Sequence, residues 1–363
     1  VDNTLSMYTV DSVTGKLRAT GYTLTGVNPG EVALDPSSTF LYIVNTTANT
    51  VTGYKVTPAD GSLTAMPGSP YATGTTPSGG QVYTTTNFYY AANKGSNNVS
   101  AYTINATTGV LTPVAGSPFA AGSQPTGVGP DSPAFNQFLY VPNSAANNIT
   151  GYSVNLTTGA LTVLSTSPFG TGTSPRAIVV TPNGFWAYVA NFGSNNVSAR
   201  SIAVNGTLNA VTGSPYAAGT NPLHVTVDPA GKFLYVANSG SNNVSAYTIN
   251  NSNGQLTAIA GSPFAAGLEA SFVRVDPSAK FLYVANKDSD TVGIFSINTT
   301  TGVLTAVGTS LTQSQPASVA ISVGNAAVSF VPKFTYAANN DTSDVTAKSF
   351  DAATGAQTPV AGS

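Results

Sequence analysis

The sequence predicts an all-β fold: a β-propeller of seven four-stranded antiparallel blades, with one surplus β-hairpin at a terminus. Three observations carry that reading. A unit of about 48 residues repeats along the chain. Each unit holds an apolar run that ends in Tyr-x-x-Asn. Short runs of β-forming residues alternate with Gly, Pro, Asn and Asp turns, and no segment keeps a helical period.

The anchors end at Asn45, Asn93, Asn143, Asn191, Asn238, Asn286 and Asn339, so the spacings are 48, 50, 48, 47, 48 and 53 residues. Within the unit from Leu223 to Gly267, the first strand is expected at His224–Val227, closed by Asp228-Pro229. The turn leads into Phe233–Asn238. That run is apolar without alternation, as a strand covered on both faces should be. The loop Ser239–Asn243 leads into a third strand at Val244–Ile249, and the turn Asn250–Gly254 into a fourth at Gln255–Ile259. Gly261-Ser262-Pro263-Phe264 reads as the connector to the next unit. The aspartates before proline, Asp35, Asp228 and Asp276, are expected to cap their turns.

The outer hairpins outnumber the inner ones. Eight are centred on Gly15, Gly61, Gly109, Gly159, Gly206, Gly254, Gly302 and Gly355, against seven inner pairs. A closed ring leaves one over, either residues 1–24 or residues 343–360. The chain is therefore expected to be one propeller domain over 1–363. It divides into an N-terminal hairpin (1–24), a repeat core with a closing strand (31–323) and an extra C-terminal segment (324–363). On this reading Phe334–Ser363 looks like the opening of a further propeller, cut off in mid-repeat. A free hairpin edge templates pairing with another chain, so Leu5, Tyr8 and Val10, or Val345 and Phe350, are expected to join subunits.

The stretch Asp276–Asn286, Asp-Pro-Ser-Ala-Lys-Phe-Leu-Tyr-Val-Ala-Asn, resembles the YVTN-repeat and lactonase-like propeller family. That family includes the propeller-type bacterial 6-phosphogluconolactonases, and the resemblance covers essentially the whole chain. It implies a seven-bladed ring and a channel-mouth site with Arg and His in a Pro-Arg-His context. Here the two are split: Arg176 follows Pro175, and His224, the sole histidine, lies one unit later. Glu269 and Arg274 complete the candidate catalytic set, and Glu31 also falls at an inner strand. Opening a lactone needs a base to activate water and cations to hold the developing oxyanion.

Composition narrows the alternatives. Lys and Arg number 12 against 14 Asp and Glu, and charged residues make up 7% of the chain, which gives no electrostatic reason to bind nucleic acid. No apolar run approaches the roughly 20 residues of a membrane span. Cysteine is absent, which excludes thiolate catalysis and Cys-ligated metals. Asp288-x-Asp290 lacks the glutamate of a calcium loop, and no phosphate loop or nucleophile elbow occurs, so neither metal nor cofactor is expected. The chain starts at Val1 inside a repeat, which reads as a trimmed terminus of a secreted or cell-surface protein. Sequons at Asn98, Asn148, Asn196 and Asn243 recur in one loop of successive units and are candidate glycan acceptors. With few catalytic residue types and a spare hairpin, the sequence favours a structural or adhesive, self-assembling module over an enzyme. Its expected partners are copies of itself or surface glycans. A lactonase-like hydrolase is the alternative.

Overall fold

Phe233–Asn238 is buried along its whole length, as are its counterparts Phe40–Asn45, Phe88–Asn93, Phe138–Asn143 and Phe281–Asn286. Sheets stacked on both faces account for this. The structure is a computed structural model. It describes residues 3–58, 60–83, 87–131 and 137–323, plus the backbone of Pro332–Asn339, Lys348–Phe350 and Gln357–Pro359. Among the described residues the strands form an all-β propeller of seven antiparallel sheets of four or five strands, and a separate two-stranded ladder. The one helical element there is a single 3-10 turn, Lys287–Ser289.

The inner strands follow one another around the axis: Pro29–Leu34, Pro77–Val82, Gly129–Pro130, Pro175–Val180, Pro222–Val227, Ala270–Val275 and Pro316–Val323. Each packs beside the next, and the last returns to the first. Ser318 Oγ accepts a hydrogen bond from Val32 N (3.0 Å) and donates one to Gly30 O (3.0 Å) across that junction. We number the sheets one to seven by these strands.

Neighbouring sheets are fastened in a repeated way. The anchor tyrosine hydroxyl donates to the turn-glycine carbonyl of the following sheet, as in Tyr188 to Gly254 (3.0 Å) and Tyr235 to Gly302 (2.9 Å). Glycine is required at that turn. Gly302 has φ +74°, and a Cβ there would sit 2.5 Å from the ring of Phe233. At the mouth of the channel, left-handed asparagines reach across to the next sheet. Asn147 Oδ1 accepts from Ser174 N and Asn195 Oδ1 from Asn221 N, both at 2.8 Å. The turn aspartates behave as expected: Asp228 Oδ1 accepts from Lys232 N and Phe233 N, each at 2.6 Å.

Three expectations change. First, the connector is also a strand. After the cis peptide Ser262-Pro263, Phe264–Ala265 pairs back onto the third strand, and sheets one to four do the same. Second, of the two hairpins that could be left over, the N-terminal one is built into the ring, and the anchor strand ending at Asn339 joins it there. Thr4–Val10 and Leu17–Leu24 complete sheet seven in the order Leu17–Leu24, Thr4–Val10, Pro332–Asn339, Pro316–Val323. The anchor strand ending at Asn339 therefore belongs to this ring and opens no second one. Tyr283 of sheet six donates to Gly15 O (2.9 Å), the same fastening seen elsewhere. Third, Leu5, Tyr8 and Val10 are buried inside their own chain rather than offered to a neighbour. Their apolar surface is already covered by sheets six and one. Val345 and the side chain of Phe350 lie outside the described residues.

Candidate functional site

The second strands carry the repeat; the inner strands depart from it. A central cavity of about 760 Å³ receives residues from all seven inner strands, among them Glu31, Gln81, Gly129, Arg176, His224, Arg274 and Ala317. The residue after an anchor asparagine reaches its mouth, which adds Lys94 and Lys287. The structure thus brings together all four sequence candidates, Arg176, His224, Glu269 and Arg274. It adds Glu31, Gln81 and Lys94.

Strand register explains the arrangement. A bulge after the first residue of each regular inner strand sets which side chain faces the axis. His224 pairs with Ala237 and Gly79 with Ala92, so they occupy one level of the channel. Glu31 shares this level, since Val32 pairs with Ile43. Arg274 and Gln81 lie two residues deeper, opposite Tyr283 and Tyr90.

Glu31 is the most constrained group. Gln81 Nε2 donates to Glu31 Oε1, and Gly80 N donates to Oε2 at 3.2 Å. Burial pushes the carboxyl up to about 7, against the opposing pull of Arg274 and these two donors. His224 stacks on Phe272 with ring centroids 3.7 Å apart. Burial, and after it the charge of Arg274, lower the imidazole to about 3, so it stays neutral at physiological pH. Among the described residues its Nδ1 has no hydrogen-bond partner.

Arg274 donates from Nε to Val319 O (3.4 Å) and lies 5.3 Å from the Phe272 ring centre. Arg176 sits 4.9 Å over Phe192, and its Nε is likewise unpartnered among the described residues. Lys94 and Arg176 make a cationic corner: burial and then the Arg176 charge lower the Lys94 ammonium. Glu269 differs from the rest. It pairs with Lys287 at 3.3 Å and guards the rim.

Sequence reasoning missed Lys94, because loop position alone does not show that a residue faces the axis. Its place directly after Asn93, shared with Lys287, is the pattern that could have found it. Asn98, Asn148, Asn196 and Asn243 open the third strands. Each accepts a hydrogen bond at Oδ1 from an anchor asparagine, at 2.8 to 2.9 Å. Among the described residues, no three His, Cys, Asp or Glu side chains gather into a metal-binding group.

The profile of the family described as "Lactonase, 7-bladed beta-propeller" matches residues 1–76, 84–267, 134–321 and 265–362. No curated protein matches significantly. Among solved structures, a proposed 6-phosphogluconolactonase of Bacteroides uniformis superposes with a TM-score of 0.75. It is 19% identical, over 87% of this chain and 98% of that one. The periplasmic gluconolactonase of Pseudomonas aeruginosa gives 0.72 at 18% identity, over 86% and 97%. Hydrazine synthase of Kuenenia stuttgartiensis gives 0.64 at 20%, over 86% and 93%, so this likeness is one of fold. The family match overturns the expectation of a non-enzymatic, adhesive or filament-forming module. Charge scarcity misled that reading. Few as the ionisable groups are, Glu31, Lys94, Arg176, His224 and Arg274 line one cavity.

Proposed function

The chain belongs to the lactonase family of seven-bladed β-propellers, and on that premise we propose that it opens a sugar lactone by hydrolysis inside its central channel. The observation that carries the reading is the facing of Glu31, neutral His224 and the cations Arg176, Lys94 and Arg274 onto one cavity.

In the proposed reaction Glu31 takes a proton from water as the water oxygen attacks the lactone carbonyl carbon. Arg176, Lys94 and Arg274 favour the oxyanion of the tetrahedral intermediate. The acyl–oxygen ring bond then breaks, and the leaving ring oxygen receives the proton from Glu31. The product is a hydroxy acid, which releases a proton at neutral pH. His224 supplies hydrogen bonding as a neutral ring. Burial and the Arg274 charge disfavour the imidazolium form, so the ring acts uncharged in this reaction.

The test follows proton release in weak buffer on gluconolactone and on its 6-phosphate, with the spontaneous rate subtracted. Hydrolysis that falls in Glu31→Gln, Arg176→Ala and His224→Ala supports the proposal. Equal rates in wild type and all three variants refute it.

For the whole chain, we assign residues 3–339 to a single seven-bladed ring and the C-terminal ladder to the surplus hairpin. A chain ending at residue 340 should keep the same cooperative unfolding. We also place the protein outside the cytoplasm, in line with the periplasmic location in the name of the Pseudomonas aeruginosa protein. Cell fractionation decides that point.

A further inference from the structure

We infer that Gln81, together with the side-chain-free pair Gly79 and Gly80, is a positioning unit that fixes the Glu31 carboxylate in the channel and favours its ionised form. The inference rests on the hydrolytic reading only in calling Glu31 the base.

The geometry argues for it from both sides of the carboxylate. One oxygen accepts from Gln81 Nε2 and the other from Gly80 N, so neither is free to rotate away. The space Glu31 occupies exists because residue 79 has no side chain. A Cβ on Gly79 would lie 2.6 Å from Glu31 Oε2 and 3.0 Å from Gly127 Cα. A Cβ on Gly80 would overlap the Tyr89 hydroxyl. At the level of Gly79, sheets four and five carry Ala177 and His224 instead. At the level of Gln81 they carry Val179 and Thr226. The Gly-Gly-Gln sequence of sheet two is thus a local departure that serves the glutamate of sheet one.

The titratable groups coupled to Glu31 are Arg274 across the channel and Tyr89 behind Gly80. Arg274 favours the carboxylate. The buried Tyr89 hydroxyl, without a hydrogen-bond partner among the described residues, stays neutral. Gln81 adds a donor that stabilises the ionised form more than the neutral one.

The chain contains just two glutamates, Glu31 and Glu269. Selective ¹³C labelling of the glutamate carboxyl in the full-length protein therefore gives two resonances, assigned with Glu269→Gln. Gln81→Leu removes the donor, and its Glu31 midpoint should rise by about one pH unit or more. Gln81→Lys supplies a charged donor, and its midpoint should fall below wild type. A merely structural role would move both variants the same way, and so would overturn the inference. An unchanged midpoint in either folded variant would overturn it too. If Gln81→Leu fails to fold, Gln81→Met, of similar length and without the donor, must show the same rise. The acid limb of kcat/KM should follow the resonance in each variant, with KM little changed. Midpoints that move as expected while the acid limb stays fixed would uphold the positioning unit and remove Glu31 as the base.

Discussion

The second and inner strands of the same sheets are adjacent in space and opposite in character. Phe233–Asn238 and Phe281–Asn286 read alike and are buried throughout. Their neighbours Pro222–Val227 and Ala270–Val275 share two valines and differ at the other four positions, and some of their side chains face the channel. The second strand must satisfy two neighbouring sheets at once, and its tyrosine must reach a turn carbonyl of the next sheet. Few sequences do that. The inner strand is packed on its flanks but open toward the axis, so its axial positions are released from the repeat. The scaffold is therefore written in what recurs, and the chemistry in what departs.

The largest effects should come from crossing that line. Glu31→Gln should lower kcat/KM by about a hundred- to ten-thousandfold, the range of a lost general base. Its stability should rise at pH 8. The folded carboxyl titrates near 7 and the unfolded one at 4.5. The folded state therefore holds more protons in that window, and stability falls as pH rises through it. Removing the carboxyl removes that loss. Tyr235→Ala should do the reverse. Truncating a fully buried aromatic costs about 3–5 kcal/mol, and the hydroxyl bond to Gly302 goes with it. The surviving folded fraction should keep its turnover, as denaturant titration and an assay on the same samples would show.

This division also explains what could be read from the sequence. Seven anchors, turn aspartates and the Thr-Gly hairpins are packing requirements, and packing requirements repeat. The second strand Phe233–Asn238 was legible to the residue. The short pairing of Phe264–Ala265 was not, because two residues after a Ser-Pro look like linker. Hairpin arithmetic predicted one hairpin more than a ring needs, but not which of the two the ring holds. That is decided by the register of Thr4–Val10 against Pro332–Asn339, a contact between chain ends. At the site, Arg176, His224 and Arg274 were visible as rare charges on inner strands. The importance of Glu31 was hidden, because it depends on glycines one unit later. The assembly reading failed for a related reason: an edge that seemed free in sequence is paired in space.

A smaller effect should appear in the acid range. Burial holds the folded His224 at about 3 against an ordinary 6.5. The folded state thus binds fewer protons between these values, and stability falls as pH drops through them. The ring is partly exposed to the channel, so the recovered loss should be on the order of 1–2 kcal/mol. His224→Gln should flatten the decline between pH 6 and 4 in urea titrations. An unchanged slope would show that water in the channel already solvates the ring.

The smallest effect tests the fasteners at the mouth, where the repeat and the channel meet. Asn195 has φ +53° and accepts a hydrogen bond at Oδ1 from Asn221 N, linking sheets four and five. Two properties are combined there: tolerance of the left-handed backbone and a side-chain acceptor of the right length. Asn195→Gly keeps the first and loses the second, so it should cost about 0.5–1.5 kcal/mol, the net value of one hydrogen bond. Asn195→Ala loses both and should cost about 1–2 kcal/mol more, the strain of a Cβ in the left-handed region. Asn195→Asp keeps both. The protein already uses that solution between sheets six and seven, where Asp290 at φ +53° accepts from Gln315 N at 2.7 Å. Its stability at neutral pH should stay within about 0.5 kcal/mol of wild type. The order Asp, Gly, Ala in denaturant midpoints would establish the asparagine as a fastener. Equal losses for Gly and Ala would mean that the backbone turn persists without strain and only the hydrogen bond matters.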